Sequence, residues 1–187
     1  MIRTKEDLKE YIRADESRYS LRHPKFLGRL LNDESYYIIK FLRTLRKLEY
    51  YTNRPRKNLA AKICHVYFIL RHRRLEYRTG IRIAPNIVGK GLYIPHLAGG
   101  GVIINALHMG DYCIVNSGAI IGNKSNPNHK PSIGDNVEIT IGAKVIGNVN
   151  VGDHAIVAPN SVVIKDVEPY SVVSGVPAVI IKKIKND

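Results

Sequence analysis

Hydrophobic and polar positions follow two different periods along the chain, and the period changes at Gly80. Before that residue, apolar side chains recur at intervals of three and four, which predicts amphipathic α-helices. Helices are predicted to begin after Thr4, a suitable N-cap, and to span residues 32–51 and 57–80. Gly80 is the expected C-terminal stop of the last helix. The pattern therefore predicts an α-helical N-terminal region over residues 1–80.

The two longer helices each carry one apolar stripe. Such stripes are most simply explained as packing faces, either in the core or between subunits. They are Ile38, Phe41, Leu42, Leu45 and Leu48 in the first of these helices, and Leu59, Ile63, Tyr67 and Leu70 in the second.

From residue 81 onwards, large aliphatic residues recur at every sixth position. The series comprises Ile103, Met109, Val115, Ile121, Ile133, Ile139, Val145, Val151, Val157 and Val163, with Pro127 as its only break. An earlier register, with Ile81, Ile87 and Tyr93, is displaced by a four-residue insertion that contains the run AGGG. A smaller or β-branched residue occupies most fifth positions, at Cys113, Ala119, Val137, Ala143, Val149, Ala155, Ser161 and Val167.

A period of six fits neither an α-helix nor simple strand alternation. It predicts a coil with three short flat faces, in which one aliphatic side chain per repeat points inward and stacks on its equivalents. We therefore predict a mainly β fold, a parallel β-helix over residues 81–168. A loop over residues 123–132 interrupts it, and residues 169–187 form a C-terminal extension.

The repeats resemble those of the hexapeptide-repeat acyltransferases, and most closely the serine acetyltransferase branch. The segments that carry this resemblance are GKGLYIPH, GGGVIIN, IGDNVEITIGAKVIGNVNVGD, NSVVIKDV and SGVPAVII. The resemblance implies a left-handed coil, acetyl-CoA as the acyl donor and no metal. It also implies a homotrimer, or a pair of such trimers, with the active site between adjacent coils of different subunits. The basic helical region, with LRKLEYYTN, is also similar to members found with surface-polysaccharide enzymes.

Within the resemblance, His96 matches the catalytic histidine. It would act as a general base that removes the proton of an acceptor hydroxyl as the oxygen attacks the thioester carbonyl. The resemblance further implies small residues along the pantetheine arm, backbone groups near the adenine, and lysines near the nucleotide phosphates. The positions along the pantetheine arm are Gly122, Gly142, Ala143 and Ala158. Those near the adenine are Ser174, Gly175, Pro177 and Ala178, and the lysines near the phosphates are Lys165, Lys182, Lys183 and Lys185.

The acceptor side departs from the family pattern. Arg82 stands where an aspartate normally orients the histidine, so Asn86 or Asn105 is expected to take over that role. In the segment HKPSI, His129 and Lys130 replace the arginine and the histidine that hold the serine carboxylate. We assign acceptor contacts to these residues and to Lys124, whose loop matches the family's flap over the acceptor.

Because the acceptor side is altered, we expect an acetyl-CoA-dependent O-acetyltransferase that acts on a sugar of a surface polysaccharide. One alternative is a serine O-acetyltransferase of cysteine biosynthesis. Another is a hexapeptide-repeat scaffold without catalytic activity.

The positive charge is concentrated in the helical region. Residues 1–80 hold 20 Lys and Arg against 9 Asp and Glu, a net +11, whereas residues 81–187 hold 9 against 7, a net +2. This imbalance favours peripheral contact with an anionic membrane, and no nucleic-acid-binding module is recognisable. The chain has no signal-peptide pattern, and Cys64 and Cys113 give no disulfide framework. We therefore expect a cytoplasmic protein, or one that is peripheral to the inner face of the membrane.

Overall fold

The computed structural model of the protein describes residues 1–20, 23–55 and 58–184. Helices occupy the first part of this chain and short strands occupy the rest. The helices are α1 (Lys5–Ser17), α2 (Lys25–Leu30), α3 (Glu34–Asn53) and α4 (Leu59–Thr79). The strands are β1 (Ile81–Ile83), β2 (Val102–Ile104), β3 (His108–Met109), β4 (Ile114–Val115), β5 (Ile120–Gly122), β6 (Ser132–Ile133), β7 (Glu138–Ile139), β8 (Lys144–Ile146), β9 (Asn150–Val151), β10 (Ile156–Val157), β11 (Val162–Val163), β12 (Ser171–Gly175) and β13 (Ala178–Lys183).

The residues predicted to begin and end helices do so in the structure. Thr4 caps α1 by accepting a hydrogen bond from the backbone N–H of Asp7, and the N–H of Thr4 in turn donates one to the Asp7 carboxylate. Gly80 ends α4 in the left-handed conformation, at φ 69°. The short helix α2 was not predicted from the sequence.

The apolar stripes of α3 and α4 have different surroundings. The stripe of α3 is buried and belongs to the hydrophobic core, with Phe41 and Leu45 fully covered. The stripe of α4 is exposed, and Leu59 and Leu70 retain 72% and 64% of their surface. The expectation of a packing face within the core therefore holds for α3, whereas nothing in the described chain covers the stripe of α4.

The strands form the three flat faces of a parallel coil. Face 1 is the sheet β1-β2-β5-β8-β11, face 2 is β3-β6-β9, and face 3 runs β4-β7-β10-β12 with β13 at its end. Pairing is parallel throughout, except that β13 folds back antiparallel on β12. From β2 to β11, successive strands along the chain thus belong to successive faces, as a six-residue period requires.

The inward positions confirm the repeat from Met109 onwards and correct it before that residue. Ile104, and not Ile103, points into the coil, because Ile104 pairs with Ile121 while Ile103 is half-buried. The turn from Ile104 to Met109 is five residues long, one fewer than the repeat assumes. The first coil has the same short turn. There Val88 and Ile94 are buried, and the predicted Ile87 and Tyr93 are only half-buried.

The coil also extends further than residue 168, where we placed its end. Strand β12 lies parallel to β10, with Val173 opposite Val157, and therefore continues face 3. Val167 is the next inward residue after Val163, since it pairs with Val151 on face 2. It follows Val163 by only four residues, so the six-residue repeat is no longer visible in the sequence here. The predicted loop ends at residue 131, since Ser132 opens β6.

A buried arginine joins the helices to the first coil. Arg46 of α3 is completely buried and forms ion pairs with Asp15 of α1 at 2.8 Å and with Glu49 at 3.1 Å. Its guanidinium also donates hydrogen bonds to the backbone carbonyls of Val88, at 2.8 Å, and Gly89. The two carboxylates and two carbonyls satisfy a charge that would otherwise be costly to bury.

Candidate active site

The turns between faces stack into edges that run along the coil. The 3–1 edge, between face 3 and face 1, comprises residues 95–101, 116–119, 140–143 and 158–161. The 1–2 edge, between face 1 and face 2, comprises residues 84–87, 105–107, 123–131, 147–149 and 164–166. The insertion with the AGGG run widens the 3–1 edge, and the loop at 123–131 widens the 1–2 edge.

His96 lies on the 3–1 edge, inside the insertion that follows the inward residue Ile94. Its side chain is 73% exposed, and its Nδ1 lies 3.5 Å from Oε2 of Glu34. The other carboxylate oxygen of Glu34 accepts a hydrogen bond from the backbone N–H of Ala98 at 3.1 Å. Glu34 is the first residue of α3, so the helical region supplies the acidic partner of the histidine.

This partner was not found from the sequence. Glu34 precedes His96 by 62 positions, and the sequence around neither residue indicates that the two are in contact. The available signal was an acidic residue at the predicted start of a helix, directly after the N-cap Asp33. Such residues usually interact only with their own helix, so the pattern does not single Glu34 out.

Side chains of α1 and the following segment fix the stretch of backbone that leads to His96. The Tyr19 hydroxyl accepts a hydrogen bond from the N–H of Ile94 at 2.8 Å, and its ring packs against Tyr93 at 5.1 Å. Burial raises the pKa of Tyr19, so the hydroxyl stays neutral. Asp15 accepts a second hydrogen bond, from the N–H of Gly91 at 2.8 Å. The backbone before His96 is thus held by two helical-region residues.

Close backbone packing requires Gly101, the last of the glycines after His96. Gly101 has a φ of 69°, and a Cβ there would lie 2.3 Å from the carbonyl oxygen of Gly80. Its own carbonyl accepts a hydrogen bond from the N–H of Gly118 at 2.6 Å. The tight turn explains Gly101 without a ligand.

The two asparagines expected to orient His96 have other partners. The Asn86 amide exchanges two hydrogen bonds with Asn53, at 2.8 and 2.9 Å, and Asn105 donates to Asn123 at 3.1 Å. Both lie on the 1–2 edge, across face 1 from His96. The structure therefore does not bring Asn86 or Asn105 to the histidine, and Glu34 occupies that position instead.

The remaining acceptor-side candidates also lie away from His96 within one chain. Arg82 is exposed on face 1, where it pairs with Ile103. Lys124 and His129 are exposed in the loop on the 1–2 edge, and Lys130 is half-buried there. Loop and histidine are thus separated by the width of face 1.

Several donor-side candidates share the 3–1 edge with His96. Gly142 and Ala158 lie on it, and the N–H of Gly175 donates to the Ser161 hydroxyl of the same edge at 3.1 Å. Ser174, Pro177 and Ala178 flank Gly175 at the turn between β12 and β13. These positions form one line along the coil with the histidine at its start.

Four other donor-side candidates are placed differently. Ala143 is completely buried, because the fifth position of a repeat points into the corner of the coil, so its side chain faces the interior. Gly122 is the last residue of strand β5 on face 1, and Lys165 is exposed on the 1–2 edge. Lys183 pairs with Glu168 and donates to Ser171 at 3.0 Å.

The last two lysine candidates belong to the end of the chain. Lys182 is exposed in the regular strand β13, not in a frayed tail. Lys185 lies outside the described residues.

Other kinds of chemistry find little support. Burial raises the pKa of the Cys113 thiol to about 12, so it is not a ready nucleophile. Within residues 1–20, 23–55 and 58–184, no group of three or more His, Cys, Asp or Glu side chains could hold a metal ion. No helix in those same ranges is long and apolar enough to cross a membrane.

Comparison with known proteins gives a consistent result. A serine acetyltransferase of Staphylococcus aureus strain Mu50 is 40% identical over 112 residues, which are 58% of this chain and 52% of that protein. One from Synechococcus elongatus is 36% identical over 107 residues, which are 55% of this chain and 43% of that protein. No family model matches the chain.

Solved structures extend the likeness to almost the whole chain. A serine acetyltransferase of Brucella abortus strain S19, in complex with coenzyme A, superimposes with a TM-score of 0.71 and 26% identity, covering 97% of this chain and 70% of that one. One of Neisseria gonorrhoeae, in complex with serine, has a TM-score of 0.68 and 25% identity, covering 95% of this chain and 70% of that one. The chain is thus similar to serine acetyltransferases.

The fold predicted from the sequence, a left-handed parallel β-helix after an α-helical region, is confirmed. The sequence match covers only about half the length of the first curated relatives, 52% in Staphylococcus aureus. The association with surface-polysaccharide enzymes is not seen among these relatives.

Proposed function

We propose that the protein is an acetyl-CoA-dependent O-acetyltransferase whose acceptor is the hydroxyl of L-serine. The observation that carries the proposal is the pairing of His96 with Glu34 on the 3–1 edge, at the head of the donor-side positions. The likeness to serine acetyltransferases, including structures with coenzyme A and with serine, supports the choice of both substrates.

His96 has the chemistry of a general base. With Glu34 facing Nδ1, the ring proton is held on Nδ1, and Nε2 is left as the acceptor of the serine hydroxyl proton. The deprotonated oxygen then forms a bond to the thioester carbonyl carbon, and the carbon–sulfur bond breaks. The proton on Nε2 passes to the leaving thiolate, so the products are O-acetylserine and free coenzyme A.

Glu34 is a positioning residue in this mechanism. The family pattern has an aspartate for this purpose on the coil, where this chain has Arg82. Here the carboxylate comes from α3, and the hydrogen bond from Ala98 holds it in place. The 3.5 Å separation from Nδ1 is long for a hydrogen bond, as is common before substrate binds.

The donor has room along the 3–1 edge. Ala158 has a small side chain there, and Gly175 begins the turn at the far end. Gly142 adds no open space, because a Cβ there would lie 2.3 Å from Oδ1 of Asn160. Ala143 contributes no surface, because it is buried inside the coil. Lys182 is the exposed lysine of β13 that remains without a carboxylate partner among the described residues, so we assign it to the nucleotide phosphates.

A homotrimer would complete the site. Within one chain, the loop with Lys124 and His129 lies on the 1–2 edge, whereas His96 lies on the 3–1 edge. Packing the coils side by side brings the 1–2 edge of one subunit towards the 3–1 edge of the next. In that arrangement the loop cations would face the serine carboxylate beside His96.

A second acceptor deserves a direct test because the acceptor motif is altered. His129 and Lys130 replace the residues that read the serine carboxylate in the family, and Arg82 replaces a carboxylate. These changes favour a hydroxyl on a sugar, as first expected, although the relatives and solved structures do not support that acceptor.

The decisive experiment measures thiol release from acetyl-CoA with L-serine as the sole acceptor. The wild-type protein should release coenzyme A in a serine-dependent manner, and His96→Ala should lose about 10²- to 10⁴-fold in rate, the contribution of a general base. His154→Ala is the matched control, since His154 lies between face 2 and face 3 and stacks on Tyr170.

The outcomes separate the two acceptors. Turnover with nucleotide-activated sugars and none with L-serine would overturn the serine assignment and retain the acetyltransferase. Full activity of His96→Ala would overturn the assigned base. Failure to bind acetyl-CoA at all would favour a non-catalytic scaffold.

A further inference from the structure

A basic cavity lies between α3 and α4, in the helical region. Its volume is about 320 Å³, within the range of small-molecule sites. Four cations line it, and aromatic rings, among them Tyr36 and Phe68, form the rest of its wall. The cations are Lys40, Arg43, Lys47 and Arg71.

The cavity carries an excess of positive charge. Arg43 is neutralised by its ion pair with Glu16. Lys40, Lys47 and Arg71 have no carboxylate within 4.0 Å among the residues that the structure describes. Three uncompensated cations facing one cavity repel each other, and an anion with more than one charge would relieve that repulsion.

The cations are already held in position. Lys40 lies over the ring of Tyr36, 5.3 Å from its centroid, and Lys47 lies 5.8 Å from that of Phe68. Arg71 donates from Nη1 to the Tyr67 hydroxyl at 2.7 Å and from Nε to the buried Thr44 hydroxyl at 3.4 Å. Its Nη2 has no protein acceptor among the described residues. Side chains fixed in this way lose little entropy when a ligand binds.

The cavity is separate from the candidate active site. The face of α3 that packs on the core carries Ile38, Phe41 and Leu45, whereas Lys40 and Lys47 point to the other side of the helix. Glu34, which contacts His96, does not line the cavity. A ligand bound here would therefore not compete with acetyl-CoA for the 3–1 edge.

We propose that this cavity binds a phosphate-bearing ligand, with the phosphate between Lys40, Lys47 and Arg71. A phosphate group supplies up to two negative charges and the oxygens that a guanidinium fork and two ammonium groups recognise. The aromatic wall suits the organic part of the ligand. The phosphate belongs either to a soluble metabolite or to a lipid head group.

Inorganic phosphate is the first probe, titrated by calorimetry at low ionic strength. We expect saturable binding whose dissociation constant rises at least roughly tenfold in Arg71→Gln, because one charge-assisted contact is lost. Arg74→Gln is the matched control, since it removes the same charge from an exposed residue of the same helix and should change the constant by less than about twofold. Far-ultraviolet circular dichroism checks that both variants keep their helices.

Vesicles distinguish the two sources of phosphate. Co-sedimentation with phosphatidylglycerol-containing vesicles but not with pure phosphatidylcholine, weakened in Arg71→Gln and competed by free phosphate, would assign a lipid head group. Phosphate binding without vesicle binding would assign a soluble ligand. The proposal is overturned if phosphate does not bind, or if both variants lose affinity equally, which would indicate diffuse surface charge. None of these measurements depends on acetyl transfer, so they succeed or fail independently of the proposed function.

Discussion

The helical region and the coil are stabilised in different ways. In the coil, aliphatic residues such as Ile121 and Val145 stack on their equivalents in the next turn, so each repeat supports only its neighbours. In the helical region, a buried polar cluster joins Asp15, Arg46 and Glu49 to the backbone of the first coil. The stability of the coil is distributed over its repeats, whereas the helices are attached to one end of it by the buried apolar face of α3 and by these few polar contacts.

The same contrast applies to the chemistry. The coil supplies His96 and a line of small residues, which are positions that a repeat can provide by its regularity. The helical region supplies Glu34, Tyr19 and Asp15, each of which makes an individual contact with the strand or turn around His96. The regular coil therefore depends on individual contacts from the helical region to position His96.

The largest effect is expected at the buried cluster. Arg46→Ala leaves Asp15 and Glu49 as buried carboxylates without a counter-charge, and should lower the free energy of unfolding by about 3–5 kcal/mol. Arg43→Ala breaks the half-exposed pair with Glu16 and should lower it by no more than about 1 kcal/mol. Urea denaturation followed by circular dichroism measures both. Equal losses in the two variants would contradict a central role for the cluster.

A somewhat smaller effect tests the corrected register of the coil. Ile104→Ala removes an inward side chain that is 2% exposed, and should lower the free energy of unfolding by about 2–4 kcal/mol. Ile103→Ala, one position earlier and half-buried, should lower it by less than about 1.5 kcal/mol. Denaturant titration of the pair decides between the two frames. A greater loss in Ile103→Ala would restore the register predicted from the sequence.

The smallest effect is expected where the two regions meet at Tyr19. Tyr19→Phe leaves the N–H of Ile94 without its acceptor, and should lower the free energy of unfolding by about 1–2 kcal/mol. Tyr11→Phe is the control, because that hydroxyl accepts a hydrogen bond from the exposed N-terminal ammonium group at 3.2 Å, and its loss should change stability by less than about 0.5 kcal/mol. Thermal denaturation at one protein concentration compares them. If the two variants were equally stable, the Tyr19 contact would be dispensable.

Periodic features were the part of the structure that the sequence predicted best. The six-residue repeat identifies the inward positions from Met109 to Val163, because each coil imposes the same requirement on its neighbour. The repeat fails between Ile83 and Val88 and between Ile104 and Met109, where the turn is one residue shorter. A repeat counted in fixed steps of six residues misses a shortened turn, because the amino-acid composition does not mark such a turn.

Contacts between distant segments were the part that it did not predict. The resemblance identified His96, but its partner was sought nearby at Asn86 and Asn105, on the coil. The structure shows that the partner is Glu34, from a helix that contacts the first coil. The packing of a helix on a coil depends on the whole tertiary structure, and no local pattern records it.

One measurement tests most directly the claim that a helical-region carboxylate orients His96, the proposed general base. Steady-state thiol release from acetyl-CoA should show kcat at least roughly tenfold lower in Glu34→Gln, with KM for acetyl-CoA unchanged, because the tautomer of His96 is no longer fixed. Glu6→Gln is the matched control, since Glu6 also lies in the first turn of a helix and has no such contact, and its kcat should equal that of the wild type. Wild-type kcat in Glu34→Gln, alongside an inactive His96→Ala, would contradict the account.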